Sequence, residues 1–142
     1  MRCFVYFNLH KKCFSIKALE GAMKGKVIAH RDTVILTSCK LLVSEAGRQR
    51  VLREKRKNVH AGVSGTWIEN GHEDKDFEQM SMFWDAVTYN PYKYASFVLK
   101  ASEQPVGLAQ VVAMKAVPNA EGIKRGVIYK KDWYVENNDC KV

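Results

Sequence analysis

A chain of 142 residues with 46% hydrophobic, 27% charged and 11% aromatic side chains carries enough apolar surface to close a core without staples. That excludes disordered and disulfide-scaffold classes and leads us to expect one domain spanning 1–142. Its 23 Lys plus Arg against 15 Asp plus Glu leave a formal charge of +8, so long-range electrostatics favours a polyanionic partner, nucleic acid before a membrane surface. Four scattered cysteines without a Cys-x-x-Cys pair suit reduced thiols, and no run of eighteen apolar residues or signal-peptide pattern occurs; the expectation is a cytoplasmic protein without a membrane partner.

Taken in chain order, RCFVYFNL (2–9) places Phe4, Val5, Tyr6 and Phe7 in a row, which predicts a central strand covered on both faces. CFSIKAL (13–19) is the next strand, and the short link between them predicts a hairpin with His10, Lys11 and Lys12 at its tip. Two short strands follow at 26–30 and 33–37 around Arg31 and Asp32. A basic helix is then predicted over about 45–60, with Ser44 as N-cap, Glu45 in the first turn and a cationic last turn. Gly47 weakens its first turn by about 1 kcal/mol relative to alanine, and AGVSG after it reads as the stop, because Gly62 and Gly65 leave helical dihedrals cheaply.

ENGHEDKDFEQ (69–79) reads as an acidic loop, and MSMFWDAV (80–87) as a buried segment of undecided type. YKYASFVL (92–99), GLAQVVAMKAV (107–117) and GVIYK (126–130) read as three strands of an antiparallel meander. The expected class is therefore α+β: a mostly antiparallel sheet with one prominent basic helix.

That helix, GRQRVLREKRKNVH, concentrates the candidate chemistry. Helical spacing lines up Arg50, Arg53, Lys57 and His60 on one stripe and leaves only a thin apolar edge. Like charges at i, i+4 destabilise a helix by roughly 0.2–0.5 kcal/mol per pair, and within the run only Glu54 offsets them. A phosphate backbone turns that cost into a gain through counterion release and two-point arginine contacts. Arg48, Arg50, Arg53, Lys55, Arg56 and Lys57 are the phosphate-binding candidates. Tyr92 and Lys93 join them, because tyrosines interleaved with lysine can stack bases while the amine meets a phosphate. The alternative for each is a solvated face or half-buried strand packing.

Of the four histidines, His10 and His60 stand near other reactive types. With Lys11 they suggest a second reading, a metal-independent phosphodiesterase or nucleotide-acting enzyme using an acid and a base. No metal is expected: His10 and Cys13 are three apart on extended chain, and the acids at 69–76 fail the calcium-loop pattern. No P-loop, dinucleotide loop or Gly-x-Ser-x-Gly elbow occurs, so no cofactor is expected.

VYFNLHKKCFSIKALEG with KVIAH, and EAGRQRVLREKRKNVHAGVSG, resemble a group of short proteins of tailed bacteriophages. The match runs over about the first half of the chain, with a weaker echo in YNPYKYASFV. The resemblance implies a phage-encoded protein acting in the infected bacterial cytoplasm. It adds a third reading beside nucleic-acid binding and catalysis, an inhibitor of a host defence or transcription complex.

Overall fold

Alternation shapes the first hairpin in the computed structural model, which describes residues 1–56, 59–69 and 84–132. In β1 (Arg2–Asn8) Cys3 and Val5 are buried while Phe4 and Tyr6 are half-exposed. β1 pairs with β2 (Cys13–Ala18), whose Phe14, Ile16 and Ala18 are buried. The expected double covering of β1 is thus replaced by one core face and one half-open face. Lys12 closes the hairpin with φ 61°, and its N–H donates to the Asn8 carbonyl at 2.8 Å.

The chain continues through β3 (Val27–Arg31), β4 (Thr33–Val43), α1 (Glu45–Glu54), β5 (Ala61–Trp67), β6 (Asp85–Thr88), β7 (Val98–Leu99), β8 (Leu108–Pro118) and β9 (Lys124–Lys131). Among the described residues, the strands join one sheet in the order β3-β2-β1-β5-β4-β8-β9-β6-β7, and each of their pairings is antiparallel. The expected α+β class is therefore overturned. The described residues form one antiparallel β-sheet, and the helix among them is a ten-residue insertion between β4 and β5.

Two errors of sequence reading account for the difference. AGVSG, read as a helix stop, belongs to the central strand β5, paired with β1 on one side and β4 on the other. The helix ends at Glu54 instead of near 60, because Lys55 turns left-handed at φ 56° and its N–H closes on the Val51 carbonyl. Farther along, residues 91–93 form a turn, and only Val98–Leu99 of the predicted 92–99 strand is extended. Residues 70–79 of the expected 69–79 loop and 80–83 of the expected 80–87 segment lie outside the described residues, while Asp85–Thr88 is a strand.

The sheet cannot be flat. β3 and β4 run in the same direction and are joined by Asp32 alone, yet they stand four strand spacings apart, roughly 19 Å on a flat sheet. A one-residue link spans only about 7 Å. β3 and β4 are thus one bent strand, and β2, β1 and β5 curl between its two halves.

The far hairpin folds back over the same core. A Cβ on Gly126 of β9 would stand 2.8 Å from Phe14 Cζ. The Asp32 carbonyl accepts from Ala116 N–H at 2.8 Å, and its carboxylate pairs with Lys124 Nζ at 3.2 Å. The enclosed core unites Val5, Phe14, Ile16, Leu36, Val63, Val112 and Met114.

Candidate nucleic-acid interface

The helix begins as its sequence dictates. Ser44 is extended, and its Oγ accepts from Gly47 N–H at 3.2 Å, while Glu45 occupies the first turn where the dipole favours an anion. Its end is set by the strand that succeeds it. Ala61 must pair with Val43, and Ser44 N–H donates to the His60 carbonyl at 2.7 Å, so the chain returns to the point where the helix started.

This return dissolves the predicted stripe. Arg50 and Arg53 lie in the helix, Lys57 lies outside the described residues, and His60 sits beside the first turn instead of beyond the last. It also reverses the meaning of Gly47. A Cβ there would stand 2.5 Å from His60 Cβ, so the expected gain from a better helix former is outweighed by overpacking. Gly47→Ala should lower stability by about 1–3 kcal/mol, against the helix-propensity gain of about 1 kcal/mol. A urea titration showing the variant more stable than the parent would contradict this packing.

The cations divide into two sets. Arg48 points into the structure: its side chain is 16% exposed, its Nε donates to the Pro91 carbonyl at 3.0 Å, and its Nη1 pairs with Glu45 at 3.2 Å. It ties the helix to the 89–97 segment. Arg50, Arg53, Lys55 and Arg56 are exposed. Arg50 and Arg56 both reach toward Glu54 at 3.9 Å, whereas Arg53 and Lys55 have no carboxylate partner among the described residues.

His60 completes the tie begun by Arg48. Its Nε2 shares a hydrogen bond of 2.7 Å with Tyr89 Oη, and the Tyr89 ring lies 5.3 Å from that of Phe97. Burial raises the Tyr89 hydroxyl above the usual phenol range, with Arg48 opposing and Glu45 reinforcing that shift. Tyr89 therefore stays a neutral anchor. An acid–base role for His60 would have to break this bond.

Tyr92 is exposed and Lys93 Nζ lies 5.6 Å from the centre of the Tyr94 ring, both in a turn held by Asn90. Tyr92 and Lys93 therefore lie in a turn and not on the expected 92–99 strand.

His10 and Lys11 occupy the β1–β2 turn, where Asn8 Oδ1 accepts both of their backbone N–H groups at 3.0 and 2.9 Å. Because β1 and β4 run parallel, this turn and α1 project from the same end of the sheet. Asn8 Nδ2 also donates to Ser15 Oγ at 3.1 Å, and Ser15 Oγ lies 3.0 Å from His30 Nδ1. Ser15 is fully buried, so the trio pins the edge strand β3 and the hairpin turn and offers no accessible nucleophile. The Cys39 thiol is likewise withdrawn, pushed up to about 12 by burial.

Sequence reasoning missed a row of side chains across the sheet face that carries Phe4 and Tyr6, a row in which Ser64 is buried. Lys17 stands opposite Phe4, Phe4 opposite Ser64, and Ser64 opposite Lys40. Directly paired residues share a face, but the register that aligns four strands is invisible along the chain. The unbroken apolar run from Phe4 to Phe7 carries no alternation that could have signalled it.

The family model of the Mycobacterium phage L5 gene 82 protein matches residues 1–120. The gene 82 protein of Mycobacterium phage L5 is 39% identical over 111 residues, a span covering 74% of this chain and 82% of that protein. No solved structure matches the chain. The matched span takes in β1 to β8 with the capped helix and the hairpin, and the chain belongs to the phage L5 gene 82 protein family.

Proposed function

We propose that this protein binds nucleic acid through the phosphate backbone, with Arg50, Arg53, Lys55 and Arg56 as the principal contacts. The observation that carries this reading is the exposure of four cations within seven residues that share Glu54 as their sole carboxylate in the segment. The two contacts to Glu54 are long, and the Arg50 and Arg56 side chains are 62% and 80% exposed. Such pairs contribute about 0–1 kcal/mol and yield readily to a phosphate oxygen. Lys11 and Lys12 extend the positive end from the neighbouring turn. The acid–base alternative gains no comparable support, since His60 Nε2 is committed to Tyr89.

Fluorescence anisotropy with a labelled duplex tests the proposal. Four phosphate contacts imply a log K against log salt slope of about −3.6, a loss of about a hundredfold in affinity between 50 and 200 mM salt. Arg53→Gln combined with Lys55→Gln should flatten the slope by about 1.8. Binding indifferent to salt, or a double variant with the parent's slope, would overturn the assignment.

A further inference from the structure

We infer that the sheet face on which β1 presents the half-exposed Phe4 and Tyr6 is a stacking platform for single-stranded nucleic acid, with bases on those two rings and phosphates at Lys17 of β2 and Lys40 of β4. The cross-strand partners Ser15, opposite Tyr6, and Ser64, opposite Phe4, are buried. The inference rests on the nucleic-acid reading above and adds a second surface and a strand preference to it. Among the described residues, neither ring belongs to a core cluster or to the side chains packed against one. Both point to the face opposite Cys3 and Val5, where a solvated antiparallel sheet ordinarily carries polar residues.

Their surroundings suit an anionic strand better than an apolar partner. Lys17 is the cross-strand neighbour of Phe4, and Lys40 stands two strands away in the same row, about 10 Å across the sheet. Unlike Arg48, Arg50 and Arg56, neither lysine is paired with a carboxylate among the described residues. The carboxylates near this face are already engaged: Glu20 accepts from Arg2 N–H at 3.1 Å, and Asp132, across the groove from Lys40, holds Lys130 Nζ at 2.6 Å and Gln110 N–H at 2.8 Å.

Geometry selects the single strand. The ring centroids are 6.2 Å apart with a 35° tilt, so each ring presents its own face. A duplex keeps successive bases about 3.4 Å apart and turned inward, whereas a single strand can splay two neighbours onto two rings, as sheet-borne aromatics do in other RNA-binding folds.

The test is anisotropy of the full chain with a labelled 12-nucleotide oligopyrimidine single strand and with the corresponding duplex. Tyr6→Leu and Phe4→Leu, each checked for an unchanged thermal transition, should each weaken single-strand binding by about tenfold and leave duplex binding at the parent level. Tyr6→Phe should retain single-strand affinity, because either ring offers a π-face. Lys17→Gln with Lys40→Gln should flatten the single-strand salt slope by about 1.4. Folded leucine variants that bind the single strand as the parent does would overturn the platform alone, leaving the helix cations as the contact surface. A parent that binds neither oligonucleotide would overturn both readings.

Discussion

Phe14→Ala is expected to destabilise the protein by about 3–5 kcal/mol, a large fraction of the roughly 5–15 kcal/mol that a domain of this size holds. Phe14 is 1% exposed and leads the fully buried side chains by volume among the described residues. Its ring meets Phe7 edge-on at 5.2 Å and faces the backbone of Gly126 from the far hairpin. Removing it loses the transfer free energy of the ring and leaves a cavity where the curled sheet closes on β9. Neighbours on three strands cannot collapse into that space without breaking ladder pairings. Chemical denaturation of parent and variant measures the loss, and a cost under about 1 kcal/mol would mean that the far hairpin does not pack on this ring.

A second large effect is expected at Gly62, although alanine adds only one carbon. A Cβ there would stand 2.5 Å from the Val5 carbonyl oxygen and would overlap the Phe4 ring. Backbone cannot step aside as a flexible side-chain tip does, so β1 and β5 must separate locally. The cost should reach or exceed the upper end of the roughly 1–3 kcal/mol typical of overpacking. Gly107→Ala is the control, since a Cβ at that position would meet nothing within 4 Å, and its effect should stay within about 1 kcal/mol. Equal denaturation midpoints for the two variants would contradict the close approach of β1 and β5.

The same glycine shows why the central strand escaped sequence reading. Within AGVSGTW, Gly62 and Gly65 resemble punctuation after a helix, because locally a glycine marks cheap departure from helical dihedrals. Their actual service is to let strands and rings approach, a demand set by Phe4, Val5 and Thr37, residues distant in sequence. The basic helix was misjudged for a related reason. Its charge pattern continues smoothly to His60, but the pairing of Val43 with Ala61 calls the chain back after Glu54.

Of the candidate site, the types were legible and the directions were not. Arg50, Arg53, Lys55 and Arg56 are exposed cations as expected, while Arg48, identical in chemistry, is drawn inward by the Pro91 carbonyl. His60 is held by Tyr89, twenty-nine residues away. Tyr92 and Lys93 are exposed as stacking demands, but from a turn instead of a strand.

What the sequence by itself determined is local or additive: the net charge, the first hairpin with His10, Lys11 and Lys12 in its turn, the Ser44 cap, and the strand character of β1, β2, β4 and β8. Each depends on neighbours a few residues apart or on simple summation over the chain. Only the tertiary structure decided the single antiparallel sheet of the described residues, the length of the helix, which arginines face outward, and the alignment of Lys17, Phe4 and Lys40. Those outcomes arise from hydrogen-bond register between distant segments, and pairing of that kind leaves no periodic trace along either strand.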